Sequence, residues 1–346
     1  MNGVNRGIFR LLPVFLLLFL GVSSCSQKEE RRILVIHSYE ETYAAYPEFN
    51  RMIAGQFEKE KIDADIRTVY LDCESYWEEP ELERMRFLVD SVSRDWRPEV
   101  ILVNEDQATY SLMKCGIQLA KEVPVVFGGV NYPNWGLLKH HPNVTGFHDK
   151  IAFNENISVA KELFGEHVRL FTMLDTTYID RQIRRDAKEQ FKGHKVTGFI
   201  DNPELSPEEQ IRLAQEEGYT RFMAIPLRNA RNHSDATFMW VLNRSYRDQC
   251  YIQLKRDYTT INIGSICGSP SLTAINEAFG FGEKLLGGYI TSLPIQVEEE
   301  VKTAVRILHG ASPSDIPIVE SRKEYVVDWN TMTQIGLSKE SIPANY

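Results

Sequence analysis

The side chains best placed to do chemistry in this sequence are carboxylates that sit directly behind apolar runs. Glu105 and Asp106 follow the run Val100 to Val103, Asp175 follows the run ending at Leu174, and Asp201 follows the run Lys195 to Ile200. Carboxylates that converge in a crevice can move protons or hold an ammonium group, and their surroundings decide which. Nothing in those surroundings names a reaction. The chain carries no Gly-x-Ser-x-Gly elbow, no phosphate-cradling Walker loop and no His-Glu-x-x-His helix, so no catalytic residue and no cofactor is assigned. A metal site is not indicated either, because there is no Cys-x-x-Cys and the adjacent His140 and His141 have no partner at ligand spacing. These two histidines read as loop or surface residues. Recognition of a small molecule, with no enzymatic step, is the chemistry that remains.

The elements that must position these groups alternate short apolar runs with amphipathic segments, the pattern of a parallel sheet covered by helices. Strands are expected over Ile33 to His37, Ile66 to Leu71, Val100 to Val103 and Pro124 to Val130, with helices over Tyr46 to Lys59, Glu79 to Arg94 and Gln107 to Lys121. After a polar stretch holding Pro133, Gly136, Pro142 and Gly146, the alternation restarts. Strands are expected over His167 to Leu174, Lys195 to Ile200, Arg221 to Leu227 and Thr260 to Ser265. Helices are expected over Asn154 to Phe164, Tyr178 to Phe191, Ser206 to Glu217 and Asp235 to Tyr258, the third opened by the capping box Ser206-Pro207-Glu208-Glu209. The C-terminal part adds a glycine-opened strand Leu286 to Ser292, a helix Ile295 to Leu308, a loop, a strand Glu324 to Asp328 and a short helix Thr331 to Ile335. Two successive β-α runs make an α/β protein of two Rossmann-like lobes with parallel sheets and a crevice between them.

In open α/β sheets ligands bind outside the carboxyl ends of the strands, so the candidate contacts are the residues just after each one. The first run of strands supplies Ser38, Tyr39, Glu40 and Tyr43, then Glu105 and Asp106, then Asn131, Tyr132 and Trp135. The second supplies Asp175, Thr176, Thr177 and Tyr178, then Asp201 and Asn202, then Arg228 and Asn229, and Glu277 in a late loop. This set suits a small amphiphile with an amine and a carboxylate. Glu105 or Asp175 can take the ammonium, and free N–H groups at helix N-termini can take the carboxylate. Tyr39, Tyr132 or Trp135 can stack on an apolar or aromatic body or face a cation. Each position also has a plainer reading, since a strand-end Asp is often a helix cap and a strand-end Tyr a packing residue.

The first 25 residues read as an address label. Arg6 and Arg10 precede the apolar run Leu11 to Val22, which is too short to span a bilayer comfortably, and the segment closes on Ser23-Ser24-Cys25. The sequence Val22-Ser23-Ser24-Cys25 resembles a bacterial lipobox, at which a signal peptidase cuts and Cys25 becomes the lipidated first residue. Residues 1–24 are then a signal peptide and residues 25–31 a polar tether. The remainder is expected outside the cytoplasm, anchored to an inner or outer membrane. Cleavage changes 39 basic against 48 acidic residues to 37 against 48, so the formal charge moves from -9 to -11. With its Lys and Arg interleaved among Asp and Glu, so acidic a chain has no basic face for nucleic acid. Cys73, Cys115, Cys250 and Cys267 leave room for one or two disulfides in an oxidising compartment, and their spacing assigns no pairs.

Val123-Pro124-Val125-Val126-Phe127-Gly128-Gly129-Val130-Asn131-Tyr132-Pro133, then Gly136-Leu137-Leu138 and Asn143-Val144-Thr145-Gly146, resembles one family. It is similar to the ABC transporter substrate-binding proteins of the group that includes tryptophan- and tyrosine-binding lipoproteins. The resemblance extends to Gly287-Gly288-Tyr289, Ala311 to Pro317, Val327-Asp328-Trp329-Asn330 and Ile335-Gly336-Leu337, and so covers nearly all of the mature chain. It implies a type I periplasmic-binding-protein architecture, with a first lobe of residues 32–146 plus about 293–318. Residues 147–292 plus about 319–346 would form the second lobe. It implies capture of a small molecule, an aromatic amino acid or similar amphiphile, for an ABC permease. Similar domains also serve as extracytoplasmic sensors, so the alternative is a lipoprotein that presents its ligand-bound form to a partner of the histidine-kinase type. The stretch Asn229 to Tyr251, rich in Asn, Arg and aromatic residues, departs from the family and leaves ligand identity open.

The expected lipidation is checked by labelling cells that express the full chain with an alkyne fatty-acid analogue. The wild-type chain should take up label and partition into detergent, and C25S should take up none.

Overall fold

The run Ile33–Ile36 has no polar residue and no exposed one, which places it in the middle of a sheet covered on both faces. In the computed structural model this run is the centre of β1 (Arg31–His37), which pairs in parallel with β2 (Ala64–Tyr70) on one side and β3 (Val100–Asn104) on the other. The structure describes residues 30–43, 45–73, 76, 78–155, 158, 162, 167–174, 182, 185–186, 188–190, 192, 196–200, 235–242, 262–263, 285–327 and 338–341. β4 (Val125–Val130), β5 (Val144–His148) and the two-residue β11 (Val319–Glu320) complete a six-stranded parallel sheet of order β11-β5-β4-β3-β1-β2.

Two helical layers cover this sheet. On one face α2 (Glu78–Ser93) and α3 (Glu105–Lys114) contribute Leu82, Met85, Val89 and Leu112 to a core with Leu34, Ile101 and Phe127. On the other, α1 (Tyr46–Lys59) contributes Phe49, Ile53 and Phe57 to a core with Ile33, Val100 and Val126. That second core also takes Val297, Val301 and Ala304 from the late helix α6 (Leu293–Leu308). The first sheet is therefore finished by residues that lie far along the chain.

Most of the expected elements in this region form, with three instructive differences. The helix expected over Gln107 to Lys121 starts at Glu105 and stops at Lys114, and a short α4 (Leu119–Glu122) follows. Gly116, with φ of +79°, takes the left-handed position that ends a helix. The polar stretch after β4 holds two unexpected elements, the short helix α5 (Trp135–Leu138) and β5. α5 starts where the Asn134 side chain accepts from Leu137 N–H at 3.0 Å.

Beyond this sheet, β6 (His167–Leu174) pairs in parallel with β7 (Val196–Ile200) and with β8 (Asp235–Leu242). β8 corrects the expectation of a helix from Asp235, since its first eight residues are extended from His167↔Asp235 through Leu174↔Leu242. Thr237, Phe238, Trp240 and Val241 are strand-favouring residues, and a full-length partner strand decides in their favour. β9 (Asn262–Ile263), β10 (Leu285–Ile290) and β12 (Glu324–Val327) form a third set, with β10 parallel to β9 and antiparallel to β12. The segment 1–24, Cys25, the elements expected over Ser206 to Glu217, Arg221 to Leu227 and Thr331 to Ile335, and Cys250 and Cys267 lie outside the described residues. Cys73 and Cys115 are buried as thiols, and Cys115 Sγ donates to Leu112 O at 3.2 Å.

Two glycine substitutions test the packing. At Gly146, with φ of +154°, an added Cβ would meet the Phe127 backbone oxygen at 2.2 Å and nitrogen at 2.7 Å. G146A should cost about 2–3 kcal/mol of unfolding free energy in a denaturant titration. Gly55 is exposed on α1 with nothing within 4 Å of such a Cβ, so G55A should be neutral or gain up to about 1 kcal/mol.

Candidate functional site

β1 feeds α1 on one face of the first sheet, and β3 feeds α3 on the other. Adjacent parallel strands whose helices leave to opposite faces open a crevice beyond their carboxyl ends. Ser38 and Glu105 stand at that switch point. Ser38 Oγ donates to Asn104 O at 2.8 Å and accepts from Ala108 N–H at 2.9 Å, so it caps α3 from the neighbouring strand. Glu105 Oε2 accepts from Ser38 N–H and from Tyr46 O–H, each at 3.1 Å, and Tyr46 in turn accepts from Tyr39 N–H at 2.9 Å. Glu105 holds φ of +71°, an unusual backbone conformation for a residue with a side chain, and the three-way clamp keeps it there.

Asp106, the next residue, clamps the third strand end. Its Oδ2 accepts from Asn131 N–H at 2.8 Å and its Oδ1 from Tyr132 N–H at 2.9 Å. Asn131 Nδ2 donates to Asp149 O at 2.7 Å, and Tyr132 O–H donates to Asp186 Oδ2 at 3.1 Å. Burial drives both site carboxyls upward, Glu105 from 4.5 to about 7 and Asp106 from 3.8 to about 6, against the hydrogen bonds that favour their ionised forms.

The structure therefore gathers Ser38, Tyr39, Tyr43 and Glu105 around one strand junction, and Asp106, Asn131 and Tyr132 around the next. Tyr39 stacks on Tyr43 at 4.7 Å between centroids, Tyr43 leans on Tyr46 at 4.8 Å, and Tyr46 stacks on His37 at 4.0 Å. Glu40 sits in the turn that this stack spans, its carbonyl accepting from Tyr43 N–H at 3.0 Å. Trp135 stands apart, 55% exposed and edge-on to His148 at 5.9 Å. Asp175, Thr176, Thr177, Tyr178, Asp201, Asn202, Arg228, Asn229 and Glu277 lie outside the described residues.

Beneath this floor runs a buried polar chain that the strand-end rule misses. Asn50 Nδ2 donates to Tyr70 O–H at 3.0 Å, His37 Nε2 lies 2.9 Å from Asn50 Oδ1, and Asn104 Nδ2 lies 3.2 Å from His37 Nδ1. Gln296 Nε2 donates to Asn104 Oδ1 at 3.2 Å, and the Glu300 carboxyl oxygens lie 3.0 and 3.1 Å from the same end of that amide. Burial lowers His37 to about 4 and holds Glu300 well above the ordinary carboxyl range, which favours the neutral form of each. With a proton on Glu300, every link has one donor and one acceptor: Glu300 donates to Asn104, Asn104 to His37, His37 to Asn50, and Asn50 to Tyr70. The visible signal was Gln296 and Glu300 four residues apart on the apolar face of α6, and the polar His37 closing an apolar strand.

Among the described residues no group of three or more His, Cys, Asp or Glu side chains is placed to hold a metal ion. No helix among them is long and apolar enough to cross a membrane.

No protein-family model matches the sequence, and no curated protein matches it either. Solved structures do match over nearly the whole chain. A conserved domain protein from Vibrio cholerae superposes with a TM-score of 0.60 at 12% identity, covering 91% of this chain and 97% of its own. An ABC domain from Streptococcus pneumonia, in complex with L-Trp, gives 0.58 at 16% identity, covering 91% and 96%. A ligand-free, open substrate-binding protein with adhesive properties from Clostridium difficile gives 0.56 at 14% identity, covering 91% and 97%. The chain has the two-lobed α/β fold of the type I periplasmic-binding proteins.

The raised carboxyl of Glu105 has a thermodynamic signature. A group whose folded value lies above its unfolded one adds stability below the unfolded value, and that stability is lost as pH rises through the folded value. For Glu105 the window runs from about pH 4.5 to about pH 7. E105Q keeps an oxygen for Ser38 N–H and Tyr46 O–H and removes the titration. Its melting temperature minus that of the wild type should therefore climb between pH 4.5 and pH 8, and a flat difference would contradict the raised value.

Proposed function

We propose that this chain is an extracytoplasmic solute-binding protein, lipid-anchored through Cys25, whose two lobes close on a small molecule and deliver it to an ABC permease. One observation carries the reading: in a chain with a type I periplasmic-binding fold, aromatic and polar groups gather at three adjacent strand ends beside the switch point. Ser38, Tyr39 and Glu105 come from β1 and β3, and Asn131 and Tyr132 from β4. Residues 32–146 with about 293–318 make the first lobe, which the packing of α6 on the first sheet supports, and β11 carries that sheet on to Glu320. In this proposal 147–292 plus about 319–346 make the second lobe, and Asp175, Thr176, Tyr178, Asp201, Arg228 and Glu277 are its candidate ligand contacts.

The ligand class follows from what the first lobe leaves available. Asp106 uses both oxygens on backbone N–H groups, so it sets the shape of the Asn131–Tyr132 turn. Glu105 is close to half-ionised at neutral pH, and an ammonium group brought beside it favours the ionised form. Tyr39, half-buried and stacked on Tyr43, puts an aromatic ring at this strand end that suits a planar or apolar body. A small amphiphile with an amine fits this lobe, and the L-Trp complex of the Streptococcus protein falls in that class.

A thermal-shift screen of the purified mature chain against amino acids, other amines and polyols tests the reading. A ligand at a hundred times its dissociation constant should stabilise the protein by about 2.7 kcal/mol. Y39A should weaken the best binder at least tenfold by calorimetry, about 1.4 kcal/mol. A panel in which nothing raises the melting temperature would overturn the proposal.

A further inference from the structure

The chain passes three times between the first sheet and the strands beyond it. It leaves β5 through Asp149–Ala152, returns from β10 into α6 through Thr291–Ser292, and leaves β11 for β12 through Ser321–Lys323. These passages meet at one carboxylate. Asp149 Oδ1 accepts from Thr291 O–H at 2.8 Å and pairs with Lys323 Nζ at 3.1 Å, and Lys323 also reaches Glu320 Oε1 at 2.7 Å. The Asp149 and Lys323 side chains are only 9% and 6% exposed. Main-chain bonds anchor the junction to the first sheet, with Asp149 N–H donating to Val130 O at 2.7 Å and Ser321 N–H to His148 O at 2.8 Å.

We propose that Asp149, Lys323 and Thr291 form a hinge pin, a single buried contact that makes the three passages bend together when the lobes move. A buried ion pair costs desolvation at both partners, and its best-attested use is to fix one arrangement against alternatives. Here that arrangement is the relative position of three peptide segments that lie far apart in sequence. A hinge centre is where atoms separate least as two bodies rotate, so short contacts survive there while the neighbouring dihedrals at 150–152, 292 and 322 absorb the motion. The low local dielectric strengthens the pair, so loosening one passage removes a restraint from the other two. The inference goes beyond the binding proposal and does not depend on it, because it concerns the chain without ligand.

Hydrogen exchange on the ligand-free mature protein tests the pin. D149N and K323M should each speed exchange at least tenfold in all three passages, including those that carry no substitution, while β1 and β3 keep their protection. K323R should retain most of the wild-type protection, and R97M, which breaks the exposed Arg97–Glu122 pair, should change none of the passages. Faster exchange confined to the substituted passage, or no change, overturns the proposal. So does a uniform loss of protection through the first sheet. Should the charge variants fail to fold, T291V decides: about threefold faster exchange at 149–152 and 321–323 supports the pin, and unchanged exchange there overturns it.

Discussion

Two parallel strands that send their helices to opposite faces leave their carboxyl ends facing open space, with main-chain N–H groups that need partners. At the β1–β3 junction that need is met by Glu105, whose carboxyl accepts from Ser38 N–H on one strand while belonging to the other. Ser38 returns the contact by capping α3. The crevice floor is thereby closed by side chains exchanged between neighbours, and the Tyr39 and Tyr43 rings are carried on a loop that starts from this exchange. Asp106 repeats the device one strand further on, tying the Asn131–Tyr132 turn to the start of α3.

A rigid floor of this kind places polar groups where apolar ones would pack more simply. His37, Asn104, Gln296 and Glu300 are all nearly or fully buried, and each unsatisfied group would cost roughly 1–3 kcal/mol. Their chain of donors and acceptors offsets that cost. Gly128 belongs to the same solution. A Cβ there would lie 1.6 Å from Glu300 Oε1, so the strand gives up a side chain to admit the carboxyl from α6. The strand ends above are thus supported by a connected run of buried hydrogen bonds, which limits how far they can shift.

Much of this could be read before any coordinates. Runs such as Ile33–Ile36 and Val100–Val103 admit little besides a buried parallel strand, and the rule that sites lie behind such strands picks out Ser38, Glu105, Asp106 and Asn131. What it cannot supply is the task each side chain performs. Glu105 and Asp106 adjoin in sequence, and only the tertiary arrangement shows that one joins β1 to β3 while the other holds the turn after β4. β5 escaped because Val144-Thr145-Gly146-Phe147 is short and interrupted by glycine, and its place is decided by pairing with β4. β8 was misread because aromatic and β-branched residues side by side satisfy no clear period, and its partner β6 settles the matter. The buried polar chain was missed because Gln296 and Glu300 look like interruptions of an apolar face until Asn104 is seen opposite them.

The placement of α6 and β11 in the first sheet has a consequence for the timing of folding. Val126, Ile53 and Phe49 share their core with Val297, Val301 and Ala304, which lie some 170 residues or more after Val126 along the chain. Contacts of such long sequence separation form slowly, since a large loop must close before they return any energy. Until nearly the whole chain has been made, its N-terminal half therefore has an unfinished core.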